Sequence, residues 1–248
     1  VPYFNYNGRK VYFINKGQGD PLILLPGNTS SSSAHRYDIE FFSKYYRVIC
    51  PDYLGYGKTE RLKRVQLDFW WSNAEMCKEL LKSLDIKDCI LVGTSGGGII
   101  AINIAIISPE LVKCVVADSI TGEYPNKNDF DKQVEARKMA TDEMKLFWQI
   151  CHGEDWQEVV ELDSQLLKHV SKENESFYKK RLNEITCPVL LTGSLSDDAI
   201  TNIEINICNV SRQITNSKIM LFPTGFHPLM WSRPEDFRES VMDFFKKI

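Results

Sequence analysis

Paired cysteines, a long apolar run and an excess of charge of one sign are missing from this 248-residue chain, and each absence narrows what it can do. The cysteine count is seven, an odd number, and no two cysteines form a C-x-x-C pair. Cys50, Cys89 and Cys114 sit in apolar, strand-like runs, so they read as small core residues rather than a disulfide framework or a metal cage. The longest apolar stretch, near Ile99 to Ile107, is interrupted by Asn103 and is too short to span a bilayer. The net charge of −3 provides no basic face for nucleic acid. The first ten residues, with Tyr3, Asn5, Asn7, Arg9 and Lys10, lack the apolar centre of a signal peptide. These absences set the expectation of a cytoplasmic protein with no metal, no cofactor, no nucleic-acid partner and no membrane partner. Histidine is scarce as well: His35, His152, His169 and His227 are all there is for imidazole chemistry.

What is present is ordinary for a globular protein, with 43% hydrophobic and 25% charged residues. The length suits one large domain, or a core with a modest insertion. Tyr3 to Tyr6 and Val11 to Ile14 read as a hairpin around the favoured turn Asn7-Gly8. Further strand-like runs are Leu22 to Leu25, Arg47 to Cys50, Cys89 to Val92, Val112 to Ala117, Val189 to Leu191 and Lys218 to Phe222. Between them lie helical patterns over Ile39 to Tyr45 and Leu67 to Leu84. This alternation predicts an α/β fold with a mostly parallel sheet flanked by helices. From about Ser119 to Glu184 the alternation stops. That stretch has helical periodicity, many charges and scattered aromatics, including Phe130, Phe147, Trp148, Trp156 and Phe177. It reads as a helical insertion after the sixth strand, dividing the core into residues 1–118 and 185–248. Ser232-Arg233-Pro234-Glu235 has the pattern of a capping box opening a last helix.

The chemistry-bearing signal is Gly93-Thr94-Ser95-Gly96-Gly97, placed between an apolar strand and a helix-like run. A strand, a glycine-flanked serine and a helix make a nucleophile elbow. The serine stands at the tip of a tight turn, and the N–H groups of the following helix point back at the reaction centre. A serine hydroxyl needs a base within hydrogen-bond reach and a carboxylate to hold that base. In a strand–elbow–helix architecture these follow in the order Ser, acid, His. Only His227 follows the last strand, in the loop Pro223-Thr224-Gly225-Phe226-His227-Pro228. His152 and His169 read as solvent-facing helix residues, and His35 as either an entrance or a helix-start residue. The acid comes from Ser194-Leu195-Ser196-Asp197-Asp198. Asp197 is favoured over Asp198, and Asp118 at the end of the preceding strand is a third candidate.

These residues resemble the α/β-hydrolase superfamily. The elbow matches, and so do three further segments in the same order along the chain. They are Asp52-Tyr53-Leu54-Gly55-Tyr56-Gly57-Lys58-Thr59, Pro188-Val189-Leu190-Leu191-Thr192-Gly193 and Gly225-Phe226-His227-Pro228. The resemblance implies a Ser95–Asp197–His227 triad and an oxyanion hole built from the backbone N–H groups of Asn28 and Gly96. One departure stands out: Pro26-Gly27 replaces the His-Gly usual before the oxyanion residue. Any bond the histidine side chain makes is lost, while Gly27 and Asn28 remain to carry the donor. Asp52 reads as a structural cap of its own loop. Serine rather than aspartate at the elbow disfavours dehalogenase and epoxide hydrolase chemistry. The expectation is a serine hydrolase of uncharged esters or thioesters, small molecules whose acyl part contacts Trp148 and Trp156 of the insertion. An aminopeptidase, a C–C bond hydrolase or a ligand receptor on the same fold are the alternatives.

Overall fold

In the computed structural model, which describes residues 2–248, eight strands form a single sheet in the order β1-β2-β4-β3-β5-β6-β7-β8. They are β1 (Tyr3–Tyr6), β2 (Arg9–Lys16), β3 (Pro21–Leu25), β4 (Arg47–Pro51), β5 (Cys89–Thr94), β6 (Val112–Asp118), β7 (Val189–Ser194) and β8 (Ser217–Phe222). The pairs β1–β2 and β2–β4 are antiparallel, and every other pairing is parallel. The hairpin turns at Asn7 and Gly8, both with positive φ, which the Asn-Gly pair tolerates. The helices are α1 (Arg36–Phe42), α2 (Phe69–Ser83), α3 (Gly96–Ile107), α4 (Lys127–Lys138), α5 (Asp142–His152), α6 (Trp156–Glu173), α7 (Ile203–Ser211), α8 (Leu229–Ser232) and α9 (Pro234–Phe245). None of them is long and apolar enough to cross a membrane.

The central strands are buried on both faces, which is why they read as unbroken apolar runs. Successive side chains point to opposite faces. Ile23, Leu25, Leu91, Val115 and Ala117 join one core with α2 and α3. Leu22, Leu24, Ile90, Val92, Cys114 and Val116 join the other with Ile39 of α1 and Phe237, Val241 and Phe244 of α9. Helix α3 is apolar all round because it is buried from Gly96 to Ile106. This packing fixes the carboxyl end of β5 at the middle of the sheet, where ligand sites of open α/β sheets lie.

Three helices, α4, α5 and α6, stand between β6 and β7 in the chain. Helix α4 opens on Asn126, whose side chain accepts from the N–H groups of Asn128 and Asp129, and α5 opens on Thr141. The expected capping box at Ser232 does not form. Helix α9 starts with Pro234 after an uncapped Arg233. The Ser232 hydroxyl instead donates to the carbonyl oxygens of Phe226, at 2.7 Å, and Pro228, at 3.1 Å. It therefore braces the His227 loop, a local side-chain-to-backbone use in place of the cap.

Candidate active site

Ser95 joins β5 to α3 with φ 53° and ψ −126°, a conformation rarely adopted by residues with a side chain. The surroundings over-determine it. Its N–H donates to the Asp118 carbonyl at 2.7 Å and its carbonyl accepts from Gly98 at 2.9 Å. A Cβ on Gly93 would run into the backbone of Gly97, and one on Gly97 into the Leu25 carbonyl. Both glycines are therefore required by close backbone approach. The tight turn leaves the Ser95 hydroxyl at the carboxyl end of the central strand β5, facing the loops that follow β7 and β8.

Those loops bring two predicted residues to it. His227 Nε2 lies 3.0 Å from Ser95 Oγ, and its Nδ1 lies 2.9 Å from Asp197 Oδ2. An ionised carboxylate only accepts, so Nδ1 carries the proton and Nε2 is left to accept from the serine hydroxyl. The Asp197 side chain has no exposure, and its other oxygen accepts the N–H groups of Ala199 and Ile200, each at 2.9 Å. Asp198 plays a different part, its carboxylate accepting the backbone N–H of His227 at 2.8 Å. Ser196 Oγ bonds the Pro223 carbonyl at 3.0 Å and ties the same two loops together. We expect Asp197→Asn to reduce kcat by about 10⁴-fold, because the amide presents a donor where Nδ1–H needs an acceptor. Asp198→Asn keeps an acceptor for the His227 N–H, and its loss should stay below about tenfold. Steady-state kinetics on the two variants distinguish them.

Asp118 is set apart from this relay. It is fully buried and accepts from Thr94 Oγ1 at 3.0 Å, Thr192 Oγ1 at 2.8 Å and the Met230 N–H at 3.0 Å. It thereby pins the ends of β5 and β7 to the segment after His227. Burial pushes its pKa up to about 6, against the opposing pull of those donors.

Asn28 and Gly96 both line the pocket beside Ser95. As the first residue of α3, Gly96 has an N–H with no acceptor inside its own helix. Pro26 keeps its loop in place without the usual histidine: its carbonyl accepts from Tyr53 Oη at 2.8 Å. Gly27 packs against the elbow, where a Cβ would come within 3.2 Å of Ser95 Cβ. Asp52 is buried and accepts from the N–H groups of Ser32, at 2.8 Å, and Lys58, at 2.7 Å, joining its loop to the Asn28 loop.

The rest of the pocket comes from Trp70, Ile99, Thr121, Phe130, Gln133, Leu167 and Ile200, around a free cavity of only about 30 Å³. Trp148 and Trp156 are not among its walls, which corrects their expected contact with the acyl group. Their rings stack on each other, 5.4 Å apart and 27° from parallel, and fill the crease where α5 turns into α6. Phe130 of α4 and Leu167 of α6 face the pocket in their place.

His152 is also corrected. It is buried, with Nδ1 accepting the Gly57 N–H at 3.0 Å and Nε2 placed 3.0 Å from the Thr29 carbonyl. Desolvation lowers its pKa to about 4 from an ordinary 6.5. Between those values the unfolded chain binds a proton that the folded chain refuses, so this residue's contribution to stability falls as pH drops from 6.5 to 4. Asp118, raised from 3.8 to about 6, contributes a slope of opposite sign in part of this window. Comparison with His152→Gln isolates the histidine, since Gln gains no proton. The stability advantage of the unmodified chain over this variant should shrink by on the order of 2 kcal/mol between pH 7 and pH 4.5. Denaturant titrations at the two pH values measure it, and a constant difference would contradict the assignment.

A family model described as alpha/beta hydrolase fold matches residues 20–145. The chain belongs to this family of enzymes. It is 24% identical over 264 residues to the (E)-2-((N-methylformamido)methylene)succinate hydrolase of Acinetobacter baylyi, covering 95% of this chain and 94% of that one. It is 24% identical over 255 residues to the human serine hydrolase BPHL, covering 97% and 84%. A cis-3-alkyl-4-alkyloxetan-2-one decarboxylase of Shewanella oneidensis is 32% identical over 116 residues, which is 46% of this chain and only 36% of that protein. Among solved structures, a serine hydrolase involved in carbazole degradation superposes with a TM-score of 0.79 at 21% identity, covering 99% of this chain and 98% of that one. An esterase from Exiguobacterium antarcticum gives 0.77 at 21% identity, covering 97% of each. At these identities the structural likeness establishes the fold.

Sequence reasoning missed the side chains that surround this alpha/beta hydrolase site from behind. Tyr56, Arg137 and Asp163 form a buried polar cluster against Asn28. Its one sequence signal is Asp163 itself, which falls on the apolar face of α6 between Val159, Val160, Leu166 and Leu167.

Proposed function

We propose that this alpha/beta hydrolase is a serine hydrolase of small, uncharged carboxylic esters or thioesters, working through an acyl-enzyme. The observation that carries the reading is the continuous Ser95–His227–Asp197 relay, with spacings of 3.0 and 2.9 Å, at the tip of a strained elbow. In this mechanism Ser95 Oγ attacks the substrate carbonyl carbon while His227 Nε2 takes the hydroxyl proton. The carbonyl oxygen becomes an oxyanion facing the N–H groups of Gly96 and Asn28. His227, its positive charge balanced by Asp197, gives the proton to the departing alkoxide or thiolate as the tetrahedral intermediate collapses. Water then attacks the acyl-enzyme carbonyl, His227 accepting its proton and returning it to Ser95 as the acid leaves.

Residues 119–184 act in this proposal as a cap that sets substrate choice. Phe130 and Gln133 from α4 and Leu167 from α6 line the pocket with Ser95. Beyond Asn28, Ser95 and His227, the lining is apolar except for Thr121 and Gln133, which favours an uncharged acyl group, and a cavity this small favours a short one. The burial of six of the seven cysteines as free thiols supports a reducing, cytoplasmic setting. The test is a panel of aryl esters from acetate to octanoate. Short acyl chains should give the highest kcat/KM, and Leu167→Ala should move the optimum to longer chains, each added buried methylene contributing up to about 0.8 kcal/mol. A panel with no turnover, or an acyl profile unaffected by Leu167→Ala, would overturn the assignment of activity or of pocket respectively.

A further inference from the structure

The oxyanion role proposed for Asn28 uses its backbone alone, yet its side chain is held at both ends. Its Nδ2 donates to Asp163 Oδ1 at 2.6 Å, and its Oδ1 accepts from the Trp70 indole N–H at 3.1 Å. A carboxylate only accepts and an indole N–H only donates, so the two partners together fix the orientation of the amide. Between them the Asn28 oxygen lies directly over Gly96, where a Cβ would collide with it. The amide thus wedges the two residues proposed to carry the oxyanion donors against each other.

Asp163 belongs to α6, 135 residues further along the chain. Its side chain has no exposure, and that of Arg137 on α4 is 9% exposed. The Arg137 guanidinium pairs with the second carboxylate oxygen at 2.6 Å and also donates to Ser164 Oγ at 3.1 Å. The Tyr56 hydroxyl donates to the same oxygen that Asn28 uses. A carboxylate buried this deeply is costly unless every side of it is satisfied. Here one oxygen accepts from Tyr56 of the core loop after β4 and from the oxyanion-loop asparagine, while the other has the Arg137 charge of α4 at ion-pair distance but no aligned hydrogen bond. The neighbours of Asn28 are gripped from the same quarter. His152 at the end of α5 reaches the Thr29 carbonyl, and Ser31 Oγ donates to the Cys151 carbonyl at 2.9 Å. The loop that carries the Asn28 N–H is therefore held from two sides, by Tyr53, Trp70 and Asp52 of the core and by the helices between β6 and β7.

We propose that Asp163 is a positioning residue that sets the Asn28 N–H on the oxyanion through the Asn28 side chain, so that seating of helices α4–α6 and completion of the oxyanion hole are one event. The proposal rests on the serine hydrolase reading. It also accounts for the tolerance of Pro26: with Tyr53 on the Pro26 carbonyl and Asp163 on the Asn28 amide, the loop has anchors that do not need a histidine. An interaction of this kind acts on the transition state more than on substrate binding, so its loss should appear in kcat and not in KM.

The experiment uses three variants of the full chain: Asn28→Ala, Asn28→Asp, and the exchange Asn28→Asp with Asp163→Asn. Asn28→Ala keeps the backbone N–H and the Arg137–Asp163 pair, so the fold is retained. It should lower kcat about tenfold or more with KM within about threefold, and weaken a trifluoromethyl ketone transition-state analogue by the same factor as kcat. Asn28→Asp sets a second carboxylate against Asp163 and should lower kcat further. The exchange restores one donor and one acceptor between the two positions, and should regain at least about tenfold over Asn28→Asp. The proposal is overturned if folded Asn28→Ala keeps kcat and analogue affinity within twofold, if KM alone changes, or if the exchange regains nothing. Ser95→Ala, run in parallel, separates the two levels. An active Ser95→Ala enzyme means that the serine hydrolase reading has failed, whereas an inactive one beside an unaffected Asn28→Ala means that only the positioning role has.

Discussion

Ser95→Ala should lower kcat by about 10⁴- to 10⁶-fold while the protein folds normally. The size follows from what the hydroxyl alone supplies. Without Oγ there is no covalent intermediate, and His227 can only direct a water at the carbonyl from a site shaped for the serine. What remains is binding and oxyanion stabilisation. The fold should survive because alanine fits the space of serine and the elbow's anchors are backbone bonds, from the Ser95 N–H to Asp118 and from Gly98 to Ser95. Alanine at φ 53° keeps the strain that serine already bears. Thermal unfolding should therefore shift little, and burst kinetics with an aryl ester should lose both burst and steady phase. A variant retaining a tenth of the activity would place the chemistry elsewhere.

His227→Ala should be nearly as damaging, and the double variant Ser95→Ala, His227→Ala little worse than either alone. In the proposed mechanism the two side chains, 3.0 Å apart, share one proton transfer, so removing either removes the step. Multiplied losses in the double variant would mean that they act independently. No other histidine can stand in. His152 is buried on the Thr29 and Gly57 backbone, and His35 is buried against Asp38, 3.2 Å from its carboxylate. His169 lies half-exposed on α6 beside Trp70, Trp71 and Phe177, outside the residues that line the Ser95 pocket.

The fold and the hydrogen-bonded grouping of Ser95, His227 and Asp197 are legible in the sequence because both depend on local pattern. The β5 run, the glycines that permit the elbow and the buried α3 are contiguous, and their spacing carries geometric meaning. His227 is singled out by its order after the acid loop. The choice between Asp197 and Asp198 follows a smaller cue, their register after Gly193, and the structure gives each a distinct hydrogen bond within that loop. The buried cluster is not legible because its members are distant in sequence. Asp163 and Arg137 sit in helices whose many charges read as solvated faces, and only tertiary packing turns two of those charges inward. His152 misleads for the same reason: at the end of α5 it looks exposed until the Thr29 loop covers it. Trp148 and Trp156 suggest a pocket by aromatic character, but a short connection between α5 and α6 folds them onto each other. Ser232 has a real capping pattern, but its hydroxyl turns back to the carbonyls of Phe226 and Pro228 in the preceding loop.

The identity of the nucleophile is tested most directly by covalent capture. The protein is treated with a fluorophosphonate, digested and analysed by mass spectrometry. The account predicts one adduct per chain, on Ser95, with labelling abolished in Ser95→Ala and strongly slowed in His227→Ala. Stoichiometric modification of another residue with Ser95 unmodified would contradict it.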